Sequence, residues 1–216
     1  GRSIVVPNLR AAGLWRIDRL VLSHADLDHA GGAPAVLAGI EVDAILASPG
    51  DPAPPRGARR CAAGLTWIWD EVRFEFLHPP PRTAGDDNQR SCVLAIANAA
   101  GRRVLLTGDI DAATEAGLVA RGLALDAEVL VTPHHGSRTS SSTSFVTAVG
   151  AREVIHGAAH ANRYGFPAPE VVARYAANGA RQHVTGTHGA IVVELAADGV
   201  RVLRWREVVR RYWHAR

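Results

Sequence analysis

The stretch Ser23-His24-Ala25-Asp26-Leu27-Asp28-His29-Ala30-Gly31-Gly32 places four potential metal ligands within six residues. It directly follows a short, apolar and β-branched run, which predicts a buried strand. A tight loop after a strand can turn alternate side chains inward, so that His24 and Asp26 bind one ion. Asp28 and His29 can then bind its neighbour. Asp and His also form turns and caps, but four of them in this pattern favour a metal site.

Two later motifs place similar side chains after predicted strands. Leu105-Leu106-Thr107-Gly108-Asp109 puts a carboxylate after a glycine, and Thr132-Pro133-His134-His135-Gly136-Ser137 puts two imidazoles after an apolar run. Either motif alone is compatible with a turn or an ordinary loop. Three such loops favour a single site, because the loops at the carboxyl ends of strands gather at one edge of an α/β sheet.

Hydrophobic periodicity and turn residues predict alternating strands and helices in the rest of the chain. We expect strands at 17–22, 43–47, 71–77, 91–97, 103–107, 128–132, 153–156, 181–185, 190–195 and 200–205. Helices are expected at 33–40, 111–121, 140–149 and 169–178. No composition break or repeat separates two folding units, so residues 1–216 are predicted to form one mixed α/β domain.

Composition narrows the class of protein. With 216 residues, 47% hydrophobic and 21% charged, the chain is neither disordered, collagen-like nor a disulfide scaffold. All 24 basic residues are Arg, which reflects either codon bias or selection for phosphate binding. The net charge of +3 permits an anionic partner without requiring one. Cys61 and Cys92 allow at most one bridge, and the apolar run around Cys92 is more typical of a small buried hydrophobe.

Together the motifs at 23–32, 105–109 and 132–137 resemble those of the metallo-β-lactamase superfamily. Weaker strings at 6–13, 162–167, 204–206 and 211–213 are similar to the hydrolase-like domain of the ComEC-type competence DNA-uptake family. The resemblance implies a four-layer αβ/βα sandwich that lacks its usual N-terminal strands. It also implies a fragment of a larger inner-membrane protein, with this soluble domain on the periplasmic side. No run of 18 apolar residues predicts a membrane span within the chain itself.

The resemblance also implies a site with two divalent metal ions, manganese or zinc, and no other small-molecule cofactor. The implied ligands are His24, Asp26, Asp28, His29, Asp109 and His135. Asp109 would bridge the ions, and Asp28 would orient the attacking hydroxide or take its proton. His134 would lie behind His135 or contact the substrate, and which of the two binds metal stays open. The carboxylates shift the preference toward manganese. Asn88 stands where many relatives have a histidine, so the first ion would be weakly held or absent.

The implied function is a metal-dependent phosphodiesterase, a nuclease that hydrolyses the non-imported DNA strand during natural transformation. DNA and the membrane channel of the same full-length protein are the expected partners, and Ser137, Arg138 and Asn88 are the expected substrate contacts. Two alternatives are a hydrolase of another phosphoester or a lactone, and a non-catalytic domain that binds or guides DNA. Arg and aromatic residues at 201–213 suit nucleic acid or form a solvated tail. Phe166 replaces a histidine of the family pattern, so any role of that histidine is absent or moved.

Overall fold

The computed structural model of the protein describes residues 1–83 and 85–209. The chain divides into two units: Gly1–Leu65 with Phe76–Val93 forms the first, and Thr66–Glu75 with the chain from Leu94 onward forms the second. The mixed α/β class predicted from the sequence is confirmed. That residues 1–216 act as one domain stays a prediction.

The first unit is built on a three-stranded parallel sheet. Its elements are α1 (Val5–Ala11), β1 (Arg16–Leu22), α2 (Ala33–Gly39), β2 (Glu41–Ala47) and β3 (Arg59–Arg60), and the strand order is β1-β2-β3. α2 connects β1 to β2, the crossover that parallel strands require. Buried side chains of α1, α2 and β1, among them Val6, Val36 and Leu22, pack into two small apolar clusters. The sequence analysis did not predict α1.

Most of a seven-stranded sheet belongs to the second unit, whereas residues 76–78 and Val93 of its strands belong to the first. Its strands are β4 (Thr66–Trp69), β5 (Val72–His78), β6 (Val93–Ala97), β7 (Arg103–Leu106), β8 (Val129–Val131), β9 (Glu153–His156) and β10 (Arg181–Val184), in the order β10-β9-β8-β7-β6-β5-β4. Its helices are α3 (Ala112–Ala120), α4 (Thr143–Val149), α5 (Pro169–Ala177), α6 (Thr185–His188) and α7 (Trp205–Val208). A separate hairpin joins β11 (Ile191–Ala196) to β12 (Gly199–Arg204).

The four strands β7 to β10 are parallel, which decides where their loops emerge. Residues that are fully buried, such as Val129, Leu130 and Val154, fill the centre of this part of the sheet. Because neighbouring parallel strands end at the same edge, the loops after β7, β8 and β9 emerge together. Asp109 follows β7 and His134 follows β8, so the topology brings these two motifs to one edge.

A disulfide bond joins Cys61 to Cys92 in the first unit. The expectation that Cys92 is only a small buried hydrophobe was therefore incomplete: Cys92 is buried, and it is also bonded. The amide of Cys61 donates to the carbonyl of Ala47 at the end of β2, and that of Cys92 donates to the carbonyl of Ser23 directly after β1. The bond thus ties together the ends of β1 and β2, and the loop of residues 23–32 begins at the end of β1.

We expect removal of this bond to destabilise the first unit. The cysteines are separated by 31 residues, and closing a loop of that length lowers the free energy of the folded state relative to the unfolded one by about 3–4 kcal/mol. Denaturant unfolding of a Cys61→Ser, Cys92→Ser double variant measures the loss. Reductant should destabilise the wild type and leave the double variant unchanged; equal stability of the two proteins would contradict the prediction.

His156, at the end of β9, is a fully buried histidine. Its Nε2 donates to Oε1 of Gln182 at 2.9 Å, and its Nδ1 lies 3.2 Å from the hydroxyl of Thr132. Burial lowers the pKa of His156, and the nearby His183 lowers it further, whereas the Gln182 bond partly raises it. His156 therefore has a packing role at the end of β9.

We expect His156 to make the protein less stable in acid. Its folded-state pKa lies below the unfolded value of about 6.5, so the unfolded chain binds the proton more readily. Its stabilising effect is therefore complete above the unfolded pKa and declines as the pH falls through it. The free energy of unfolding is measured with urea at several pH values between 5.5 and 7.5, a range set around that pKa. It should change less with pH in His156→Gln than in the wild type. Identical slopes would refute this assignment.

Candidate metal centre

The loop after β1 brings the two imidazoles of the first unit together. The Ser23 hydroxyl lies 3.2 Å from Nδ1 of both His24 and His29, and the two ring centroids are 4.0 Å apart. His24 is buried, and the side chain of His29 is largely buried. Because the Nδ1 atoms face the same hydroxyl, Nε2 is the nitrogen with which each ring would bind a metal.

Each of these imidazoles lies beside a carboxylate from the same loop. Oδ2 of Asp26 is 3.7 Å from Nε2 of His24, and Oδ2 of Asp28 is 3.8 Å from Nε2 of His29. These distances are too long for hydrogen bonds. Two ligand atoms that bind one ion at about 2.1 Å in a tetrahedral site lie roughly 3.4 Å apart, so the observed spacings are slightly longer than those of an occupied site. The pairing His24 with Asp26 and His29 with Asp28 is the one predicted from the sequence.

The backbone of this loop is held by contacts that the sequence analysis missed. The amide of Ala25 donates to Oδ2 of Asp87 at 2.6 Å, so Asp87 anchors the start of the loop. Gly31 completes the turn, because a side chain there would meet the carbonyl oxygen of Leu27 at 2.4 Å. In the sequence, only the pair of acidic residues Asp86 and Asp87 could have indicated this anchoring role. Oδ1 of Asn88 is buried without a hydrogen-bond partner among the described residues.

In the second unit, one buried carboxylate faces two imidazoles. Oδ2 of Asp109 lies 3.5 Å from Nε2 of His135 and 3.8 Å from Nε2 of His134, and the Asp109 side chain is only 5% exposed. These distances also fit ligands of a common ion. The structure therefore brings together the three candidate residues of this unit, and both histidines are placed to act as ligands.

His134 and His135 are positioned by an unusual backbone. Both have positive φ angles, 48° and 56°, and Gly136 follows at 83°. L-residues avoid this left-handed region at a cost of roughly 1–2 kcal/mol each, and such strain is concentrated at functional sites. The amide of His134 donates to the carbonyl of Gly108, which fixes the turn beside Asp109.

The segment after these histidines is supported by a buried carboxylate, which the sequence analysis also missed. Glu115 of α3 is fully buried and accepts hydrogen bonds from the amides of Ser141 and Ser142, at 2.5 and 2.7 Å. Burial raises the pKa of Glu115, although these bonds lower it in part. Tyr175 adds a hydrogen bond to the Ser141 hydroxyl. An acid in an otherwise apolar helix gave no sequence signal for this role.

The two predicted substrate contacts in this segment lie in different settings. Ser137 is buried, with its hydroxyl 3.0 Å from that of Thr139. The exposed side chain of Arg138 pairs with Glu170 at 2.8 Å. Two other histidines have structural settings: His78 is 2.8 Å from the Gln89 carbonyl, and His183 lies between Glu153 and Arg204. In the Arg and aromatic cluster, residues 210–213 lie outside the described residues.

Comparison with known proteins identifies the class. The model of the metallo-beta-lactamase superfamily matches residues 3–155. This range includes both candidate ligand groups: the first is His24, Asp26, Asp28 and His29, and the second is Asp109, His134 and His135. The chain belongs to the metallo-β-lactamase superfamily, whose members are generally hydrolases that use divalent metals. CmlA, a diiron β-hydroxylase from Streptomyces venezuelae, is similar in fold, with a TM-score of 0.52 and 15% identity over 88% of this chain and 45% of that chain.

Within this superfamily, the chain is similar to a competence protein and to a recombination protein. It is 44% identical over 210 residues to competence protein ComA of Neisseria gonorrhoeae, covering 97% of this chain and 30% of that protein. It is 31% identical over 213 residues to recombination protein 2 of Haemophilus influenzae, covering 98% of this chain and 26% of that protein. The chain thus spans less than a third of these relatives. No described helix is long and apolar enough to cross a membrane.

We expect a side chain at Gly136 to disrupt the second ligand group. A Cβ there would lie 2.7 Å from Cβ of Pro167 and 3.0 Å from Nδ1 of His156. Gly150 is the matched control, because its φ is also positive while its nearest contact would be 3.8 Å. Gly150→Ala should cost about 1–2 kcal/mol of unfolding free energy, and Gly136→Ala a further 1–3 kcal/mol from overpacking. Equal losses would contradict the close packing at Gly136.

Proposed function

We propose that this domain is a metal-dependent phosphodiesterase that hydrolyses DNA. The observation that carries the proposal is a repeated spacing: in each unit, imidazole nitrogens lie 3.5–3.8 Å from carboxylate oxygens at the ends of strands. Both groups fall within the match to a hydrolase superfamily. Competence and recombination proteins among the relatives favour DNA over another phosphoester or a lactone.

We assign the ligand roles according to the family relationship. The residues that would hold the two ions are His24, Asp26, Asp28 and His29 in the first unit and Asp109 and His135 in the second. The donor set supports this assignment within each unit, because the Asp109 carboxylate is buried between two imidazoles and Ser23 orients two more. Two of the loop ligands are carboxylates, which favours manganese while zinc also fits. The buried side-chain oxygen of Asn88 stands where a histidine would bind a metal more strongly.

Bound divalent ions would lower the pKa of water and withdraw electron density from the phosphate. The chain's own groups would then move the protons. Asp28, whose side chain is 66% exposed, would accept the proton of the attacking water. His134, with Nδ1 3.4 Å from the Thr139 hydroxyl, would contact the phosphate through Nε2. Ser137, Arg138 and Asn88 are the proposed contacts farther along the substrate.

The biological role we propose is degradation of the strand that is not imported during transformation. The partner would be the membrane channel of a longer protein, with this domain on its extracytoplasmic side. The Cys61–Cys92 disulfide supports that location, because such bonds persist in oxidising compartments. A domain that binds and guides DNA without cutting it is the second candidate, favoured by Asn88 in place of a ligand histidine.

Cleavage of labelled single- and double-stranded DNA tests the proposal. With manganese or zinc, the wild type should cut DNA, and chelator should abolish the activity. Asp109→Asn and Asp28→Ala should each reduce the cleavage rate by more than the roughly 10- to 100-fold that is typical when a residue hydrogen-bonded to a metal ligand is replaced. Asp126→Asn is the matched control, because this exposed carboxylate pairs with Arg103 on the protein surface.

The metal content of each purified variant is measured in parallel. Cleavage that persists in both ligand variants would overturn the assigned centre. Steeply salt-dependent DNA binding without cleavage under any metal would favour the guiding role instead.

A further inference from the structure

A series of stacked rings leads from the second ligand group to the protein surface. The ring of Phe166 stacks on His135, with centroids 6.3 Å apart and planes 24° apart. Tyr164 stacks in turn on Phe166, at 5.4 Å and 19°. The guanidinium of Arg163 lies over the Tyr164 ring, 4.7 Å from its centroid. We call Arg163, Tyr164 and Phe166 the stacking loop.

The stacking loop is rigidly built. The Asn162 side chain donates to the carbonyl oxygens of Ala159 and Phe166 and accepts from the amide of Phe166, at 2.7–3.0 Å. The amide of Ala168 donates to the carbonyl of Gly136, which joins the loop to the histidine turn. Three side-chain bonds from one residue hold both ends of the loop, so the rings are ordered before any ligand arrives.

The outer end of this series is open to solvent. Tyr164 is 63% exposed and Phe166 is half-buried, in a chain that is only 6% aromatic. Arg163 forms no ion pair with a carboxylate among the described residues, so its charge is available to an anion. An exposed aromatic ring that is ordered by a second ring and lies beside a cation is typical of single-strand binding sites, where bases stack and Arg contacts phosphates.

We infer that the stacking loop binds an unpaired base of single-stranded DNA, and that Arg163 contacts the adjoining phosphate. The inference rests on the proposed function. An exposed cation–π contact is worth about two- to fivefold in affinity, whereas a base stacked on an aromatic ring is worth about 5- to 150-fold. A base therefore replaces the guanidinium on Tyr164. Bases within a duplex are already stacked on each other, so the loop selects single strands.

The test compares two oligonucleotides with the same phosphates: a 5′-labelled strand of 12 thymidines and a 12-mer of abasic units, a length typical of such sites. The affinity for each strand is measured by fluorescence anisotropy with chelator, which prevents cleavage, and the measurement is repeated with calcium. The affinity ratio is that of the base-bearing strand to the abasic strand. The wild type should bind the base-bearing strand about tenfold more tightly. Tyr164→Ala should reduce this ratio to about one, and Tyr164→Trp should preserve it.

Ile68→Ala is the matched control, because Ile68 is equally exposed at 65% and belongs to the same unit. It should leave the ratio unchanged. Circular dichroism of each variant separates loss of stacking from loss of folding. A wild-type ratio of one, or an unchanged ratio in Tyr164→Ala, would overturn the inference.

The outcomes also separate this inference from the proposed function. Metal-dependent cleavage with a ratio of one refutes the stacking loop alone. A base-dependent ratio without cleavage under any metal refutes the phosphodiesterase alone and leaves a single-strand-binding domain.

Discussion

The left-handed turn of His134, His135 and Gly136 is the constraint on which the second ligand group depends. It reverses the chain directly after β8, so that both imidazoles face one oxygen of Asp109. Two non-glycine residues in this region cost roughly 1–2 kcal/mol each. Surrounding bonds must outweigh that cost, and the carbonyl of Gly108 receives the turn's first amide.

The two units support their ligand groups by different means. In the first, a disulfide ties the strand ends and one serine hydroxyl faces both imidazoles. In the second, the buried carboxylate of Glu115 holds two backbone amides behind the histidine turn. Burial of this acid is unfavourable by itself, as its raised pKa shows. The buried carboxylate is nevertheless favourable, because the amides of Ser141 and Ser142 would lose their acceptor without it.

Much of this arrangement was predictable from local sequence. Apolar runs marked the parallel strands, and a ligand-type residue directly after each run marked the edge where Asp109 and His134 meet. What escaped prediction depends on contacts between distant residues. Asp87 accepts a hydrogen bond from a backbone amide 62 residues away, and Glu115 accepts from two amides 26 and 27 residues away. No periodicity in the sequence reveals such contacts. The turn at His134 and His135 likewise could not be predicted, because a non-glycine residue adopts a positive φ only rarely.

Phe166 shows how one substitution can change the work of a loop. The family resemblance predicts a histidine at this position, and phenylalanine cannot bind a metal. The ring of Phe166 nonetheless makes two contacts, one with His135 and one with Tyr164. The same side chain therefore contacts a candidate ligand imidazole and the exposed ring of Tyr164. If a base stacks on Tyr164 as we propose, Phe166 would connect it to His135, because packed side chains transmit displacements to their neighbours.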